Sequence, residues 1–136
     1  MKRAKPKAPK LSEYQLHCSV AAYLDRRFPP GGDVWWTTIG HGGGGKVRGA
    51  KLKATGVKRG VPDIMILHRR GNIPSMQVTD PYFIELKAIG KKMTADQLEF
   101  ARWANGVVQV AYTISDVELI LDDVWCLPNP RNVRLA

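Results

Sequence analysis

Three segments of the chain open on the same helix-start signal, and four short apolar runs lie between them, which confines the fold to a narrow class. Ser12 with Gln15, Thr94 with Gln97 and Ser115 with Glu118 each place a hydroxyl three residues before a side chain able to reach back. In this capping box two orphan backbone N–H groups are satisfied reciprocally. Behind the first box, over about residues 12–27, Leu16, Val20 and Leu24 form an apolar stripe that stops before PPGG. Behind the second, about 94–104, Phe100, Ala101 and Ala104 share a side and Asn105-Gly106 supplies a C-terminal cap. Behind the third, about 116–124, Val117, Ile120, Leu121 and Val124 recur at helical spacing. The runs VWWTTI at 34–39, VPDIMIL at 61–67, YFIELKA at 82–88 and VVQVAYTI at 107–114 read as strands. The predicted order is α-β-β-β-α-β-α. A strand, a helix and a further strand normally make a right-handed parallel crossover, so the expected fold class is α/β with a central mixed sheet.

With 136 residues the chain is one ordinary domain, long enough to bury a core without disulfide staples. Its 21 Lys and Arg against 12 Asp and Glu leave a net charge of +9 on a chain that is 44% hydrophobic. The excess is uneven. Residues 1–10 carry Lys2, Arg3, Lys5, Lys7 and Lys10 with two prolines and no acid, the composition of a flexible basic arm, and 11–136 is the single domain. A second cluster, Lys46, Arg48, Lys51, Lys53, Lys58 and Arg59, lies in a glycine-rich stretch without an acidic residue. Two such segments suit a polyanion, because each neutralised phosphate releases counterions, although a solubilising surface has the same composition. Cys18 and Cys126 are too few for a disulfide framework and have no zinc spacing. No apolar run approaches the length of a membrane helix, and no apolar stretch follows the first charges as in a signal peptide. A soluble cytoplasmic protein without membrane partners is expected.

Alternation puts Val61, Asp63, Met65 and Leu67 on one face of their strand, and Phe83, Glu85 and Lys87 together on theirs. Charge within otherwise apolar strands is costly unless paired or bound to a metal. Neighbouring strands in suitable register would converge Asp63, Glu85 and Lys87 on one spot. Two carboxylates then supply the hard oxygens that Mg²⁺ prefers, and the ammonium can orient a water and neutralise charge on phosphate. The plainer alternative is an ion pair at a strand end. In the first helix, successive turns of 100° bring Glu13 within about 60° of Leu16, Val20 and Leu24, so its carboxylate lies on the core-facing stripe. Interaction with the positive helix terminus accounts for it equally.

Pro62-Asp63 opening an apolar strand, then Glu85-Leu86-Lys87 in the next, inside this element order, resembles the PD-(D/E)xK nuclease superfamily. RGVPDIMIL with its glycine-rich basic lead-in is most similar to the virus-type replication-repair nuclease domain, VRR-NUC, over roughly residues 12–125. The resemblance implies a restriction-endonuclease-like core and a metal-dependent, structure-specific DNA endonuclease that hydrolyses phosphodiester bonds in branched DNA such as Holliday junctions or flaps. It implies Asp63, Glu85 and the backbone carbonyl of Leu86 as ligands of Mg²⁺ or Mn²⁺, and Lys87 as the catalytic lysine. It adds Glu13 to the site and to the ligand set, and Gln97 to the catalytic residues, although the capping box alone explains Gln97. Symmetric cutting of a four-way junction calls for a homodimer. Stand-alone domains of this kind resemble bacterial or phage proteins acting in DNA repair.

Other features fit less chemistry. The run Gly42 to Gly45 lacks Walker spacing and reads as a mobile flap whose lysines and arginine meet phosphates. His41 and His17 could approach the site, although a surface histidine and a polar residue at the helix edge describe them as well. Of Trp35, Trp36, Trp103 and Trp125, any could stack on bases, but adjacent Trp35 and Trp36 point to opposite faces, so one belongs to the core. No Ser-His-Asp or Cys-His arrangement is apparent. Two rivals stand beside the nuclease reading: a noncatalytic nucleic-acid-binding module on the same fold, and a nuclease acting on linear DNA or RNA.

Overall fold

A computed structural model describes residues 11–39 and 45–135, with the backbone alone over 45–49. The basic arm at 1–10, His41 and most of the glycine run lie outside the described residues, as do the side chains of Lys46 and Arg48. Helix α1 (Glu13–Arg27) starts where its capping box predicts, with Ser12 Oγ accepting from Gln15 N and Gln15 Oε1 accepting from Ser12 N. Then follow β1 (Val34–Thr38), α2 (Gly45–Ala54), β2 (Ile64–Arg70), β3 (Val78–Leu86), α3 (Ala95–Trp103), β4 (Val108–Ala111) and α4 (Ile114–Leu119), which runs into a π-helical turn at Ile120–Val124. The sheet order is β1-β2-β3-β4, antiparallel across the first three strands and parallel between β3 and β4. The fold is therefore mixed α/β with a mixed sheet, as expected.

The expected order lacked one helix. Helix α2 occupies the stretch expected to be a mobile flap, because KVRGAKLKA is built mainly of strong helix formers and Gly49 alone costs about 1 kcal/mol. The third predicted cap also shifts: α4 is capped by Thr113 and Asp116, not Ser115 and Glu118. Asp116 Oδ2 accepts from the N–H groups of both Tyr112 and Thr113, which also ends β4 early. Strands β2 and β3 lie a few residues from their predicted places. Pro81 sits within β3 because β4 pairs only with Phe83–Leu86, so β3 has a free edge at the proline.

The even-numbered face of β2 and β3 carries the core. Ile64, Ile66, Ile84 and Leu86 pack with Leu16, Val20, Tyr23 and Leu24 of α1 and with Val117 and Leu121 from the C-terminal helical segment. Each such side chain contributes roughly 1.5–3 kcal/mol on burial, which makes this face the main source of stability. Trp36 and Trp125 pack against the core, the latter 4.8 Å from Tyr82 between ring centroids, whereas Trp35 and Trp103 are exposed. Arg27 is fully buried here. Its guanidinium donates to the carbonyls of Leu127 and Pro128 and to the Tyr23 hydroxyl, and pairs with Asp122 at 2.7 Å. Tyr23 in turn donates to Glu118, which also accepts from Leu135 N, so the C-terminal segment is tied to α1.

Helix α3 covers the opposite, odd-numbered face at one end, with Phe100 edge-on to Phe83 at 5.2 Å. Among the described residues no helix is long and apolar enough to cross a membrane, and Cys18 and Cys126 are free thiols.

Candidate active site

The end of the odd-numbered face gathers the residues singled out above. The β2–β3 ladder stops at Ile64 opposite Ile84, and one pair further on the N–H of Leu86 donates to Asp63 Oδ2 at 2.8 Å. Asp63 therefore precedes β2 instead of lying within it, held by that bond and by its own carbonyl, which accepts from Ile39 N. Glu85 is inside β3 and buried; Lys87 follows the strand's end, its N–H donating to Ala111 O and its Nζ 3.8 Å from Glu85 Oε1. Leu86, whose backbone carbonyl was a proposed ligand, has its side chain in the core and its amide tied to Asp63.

Gln97 closes its predicted cap and touches Glu85 through one amide. Its Oε1 accepts from Thr94 N at 2.8 Å, closing the helix cap, while its Nε2 donates to Glu85 Oε1 at 2.7 Å. Glu13, at the start of α1, accepts from the N–H of Ala88 at 3.2 Å and stands 4.0 Å from Lys91 Nζ. It thus reaches the segment that carries Lys87, and its charge acts on Glu85. Sequence reasoning missed Lys91, for which a charged residue in a turn is no signal.

Gly60 is what presses these parts together. Its φ is +87°, and a Cβ there would stand 2.3 Å from the backbone of Asp96, so the segment leading to Asp63 lies directly on the first turn of α3. A glycine just before Val61-Pro62-Asp63 was the available sequence signal. Exposed Lys58 and Arg59 lie in the same segment, whereas Lys51 and Lys53 are exposed on α2. His17 is accounted for without the site, bonding through Nε2 to Thr38 Oγ1 at 3.1 Å.

Burial pushes the Glu85 carboxyl up to about 7, with further upward pressure from the Asp63 charge and a partial offset from Lys87. Glu85 Oε2 is buried and finds no hydrogen-bond partner. Once ionised, neither Asp63 nor Glu85 can donate to the other, so the pair holds unneutralised negative potential beside one ammonium. That donor set fits a hard divalent cation. Among the described residues, however, no three His, Cys, Asp or Glu side chains form a group at metal-binding spacing, so Glu13 does not complete a three-carboxylate set. Comparison of the chain with protein-family models, with curated proteins and with solved structures gives no match.

Proposed function

We propose that the protein is a divalent-metal-dependent DNA endonuclease with a restriction-endonuclease-like core of the VRR-NUC type. The observation that supports it most is buried Glu85 beside half-buried Asp63, with an orphaned Glu85 carboxylate oxygen and Lys87 next to it. Asp63, Glu85 and the Leu86 carbonyl would hold Mg²⁺ or Mn²⁺. Such an ion neutralises charge at a phosphodiester and makes water a competent nucleophile at neutral pH. Lys87 neutralises charge developing on the phosphate and orients the attacking water. Gln97 holds Glu85 in one orientation, and Glu13 fixes the backbone beyond Lys87 through Ala88. Lys51, Lys53, Lys58 and Arg59, with Lys46, Arg48 and the arm at 1–10, supply sequence-independent attraction to the substrate. Branched DNA, a Holliday junction or a flap, is the proposed substrate, with a homodimer presenting two sites to a four-way junction.

The noncatalytic binding module draws support from the lack of a third carboxylate at ligand spacing among the described residues. Incubation with linear, flapped, single-stranded and four-way DNA in Mg²⁺, Mn²⁺ or EDTA separates the two. Cleavage of a branched substrate that EDTA abolishes is expected; binding without cleavage in either metal favours the module.

A further inference from the structure

The odd-numbered sheet face continues past α3 to a concavity of about 210 Å³ at its other end, bordered by Trp35, Leu67, Arg69, Thr79 and Asp33. Trp35 is 58% exposed there, although its neighbour Trp36 is packed against the core, so the fold does not require the first indole. We propose that this concavity is a stacking subsite for one unpaired nucleobase of a strand whose backbone crosses the Asp63–Glu85 site. The inference rests on the nuclease reading and adds to it a preference for unpaired bases.

Position supports the link. Asp63 directly precedes β2, and Met65 and Leu67 alternate onto one side within it, so Leu67 lies four residues, about 13 Å at about 3.3 Å per residue, from Asp63. A stacked strand advances about 3.4 Å per nucleotide, which places the held base about four nucleotides from the bond to be cut. The chemistry matches as well. The indole offers a face for stacking and Leu67 an apolar floor, while Thr79 can meet a base edge. Arg69 is only loosely paired with Asp33, at 3.6 Å with both side chains more than half exposed, and can turn to a phosphate. Charge favours this occupant, since a chain of net charge +9 attracts a polyanion to its surface.

The test is binding, by fluorescence anisotropy in EDTA, of a labelled thymidine oligonucleotide and of an abasic strand of equal length. Trp35→Ala is expected to weaken binding of the base-bearing strand by roughly ten- to a hundredfold. Trp35→Phe keeps most of the affinity, and the abasic strand binds wild type no better than the base-bearing strand binds Trp35→Ala. An unchanged melting temperature shows that the variant is folded. Equal affinity of wild type and Trp35→Ala for the base-bearing strand overturns the subsite while leaving the nuclease reading in place. A changed oligomeric state with unchanged oligonucleotide affinity overturns it in favour of self-association. Stacking at Trp35 without metal-dependent cleavage on any DNA sinks the nuclease reading instead.

Discussion

Two charged side chains are buried on opposite sides of the same sheet, and their surroundings differ in kind. Arg27 has carbonyls, a hydroxyl and a carboxylate around its guanidinium, and its network draws in Tyr23, Glu118 and the C-terminal segment. Glu85 has one amide donor on Oε1, an ammonium 3.8 Å away, a second carboxylate beside it and nothing on Oε2. A buried charge whose partners are all internal belongs to the architecture. One left short of partners next to a like charge costs stability in the free protein, and that cost is explained if something from outside completes it.

Substitutions can break this contrast, and the largest effect should fall on the Glu85 side. Asp63→Ala, Glu85→Ala and Lys87→Ala are expected to reduce cleavage by roughly a thousandfold or more, about 4 kcal/mol on the barrier. Removing the Glu85 carboxylate relieves repulsion, so metal-free Glu85→Ala should melt no lower than wild type, whereas Asp63→Ala also takes the acceptor from Leu86 N–H and should melt lower. A fully active Glu85→Ala enzyme would sink the assignment.

Arg27 should behave in the opposite way. Arg27→Ala takes the donor from two carbonyls and leaves Asp122 only its exposed contact with Arg134 at 3.3 Å, and breaking a buried pair costs about 3–5 kcal/mol. Asp122 is partly exposed, so the lower end is expected in denaturant unfolding, with cleavage per folded molecule unchanged.

A third comparison is in pH. Glu85 titrates near 7 in the folded protein against 4.5 unfolded, so between those values the native state holds more protons. Stability of the metal-free protein should therefore fall as pH rises from about 4.5 to 7, by at most about 3 kcal/mol, and be flat in this respect for Glu85→Gln. Saturating Mg²⁺ or Mn²⁺ should remove the decline, and urea titrations at several pH values with and without the ion decide this.

The smallest effect is expected at Glu13. Glu13→Gln keeps an acceptor for Ala88 N and removes the charge, so stability should change by less than about 1 kcal/mol. Turnover at saturating metal should fall about tenfold, which is 1.36 kcal/mol on the barrier. Normal turnover would exclude a role for the Glu13 charge and leave only its acceptor for Ala88 N.

How legible this was in sequence depended on range. The boxes at Ser12 and Thr94 were readable because a cap is a contact between residues three apart. The third was misplaced because Thr113-Asp116 and Ser115-Glu118 both satisfy the pattern. The choice between them was made by Tyr23 and Leu135, distant residues that take Glu118 away. Helix α2 was hidden by the glycines before it. At the site, strand alternation identified Asp63, Glu85 and Lys87 as a candidate group. The loop packing at Gly60 and the contact of Glu13 with Ala88 and Lys91 arise only from long-range assembly.

The double engagement of Gln97 narrows which residue that position can hold. At the third position of a capping box glutamate serves the cap as well as glutamine, since either oxygen accepts the N-cap N–H. Here the nitrogen is used too, on Glu85 Oε1. A glutamate would retain the helix start while exchanging a donor for a further negative charge. It would also loosen a second constraint: local opening of helix ends is ordinarily nearly free, whereas opening the first turn of α3 withdraws the amide that Glu85 relies on. The N–H groups of Ala95 to Gln97 should accordingly exchange with solvent more slowly than a helix terminus of this exposure would suggest, and in Gln97→Glu they should exchange faster even though the cap persists.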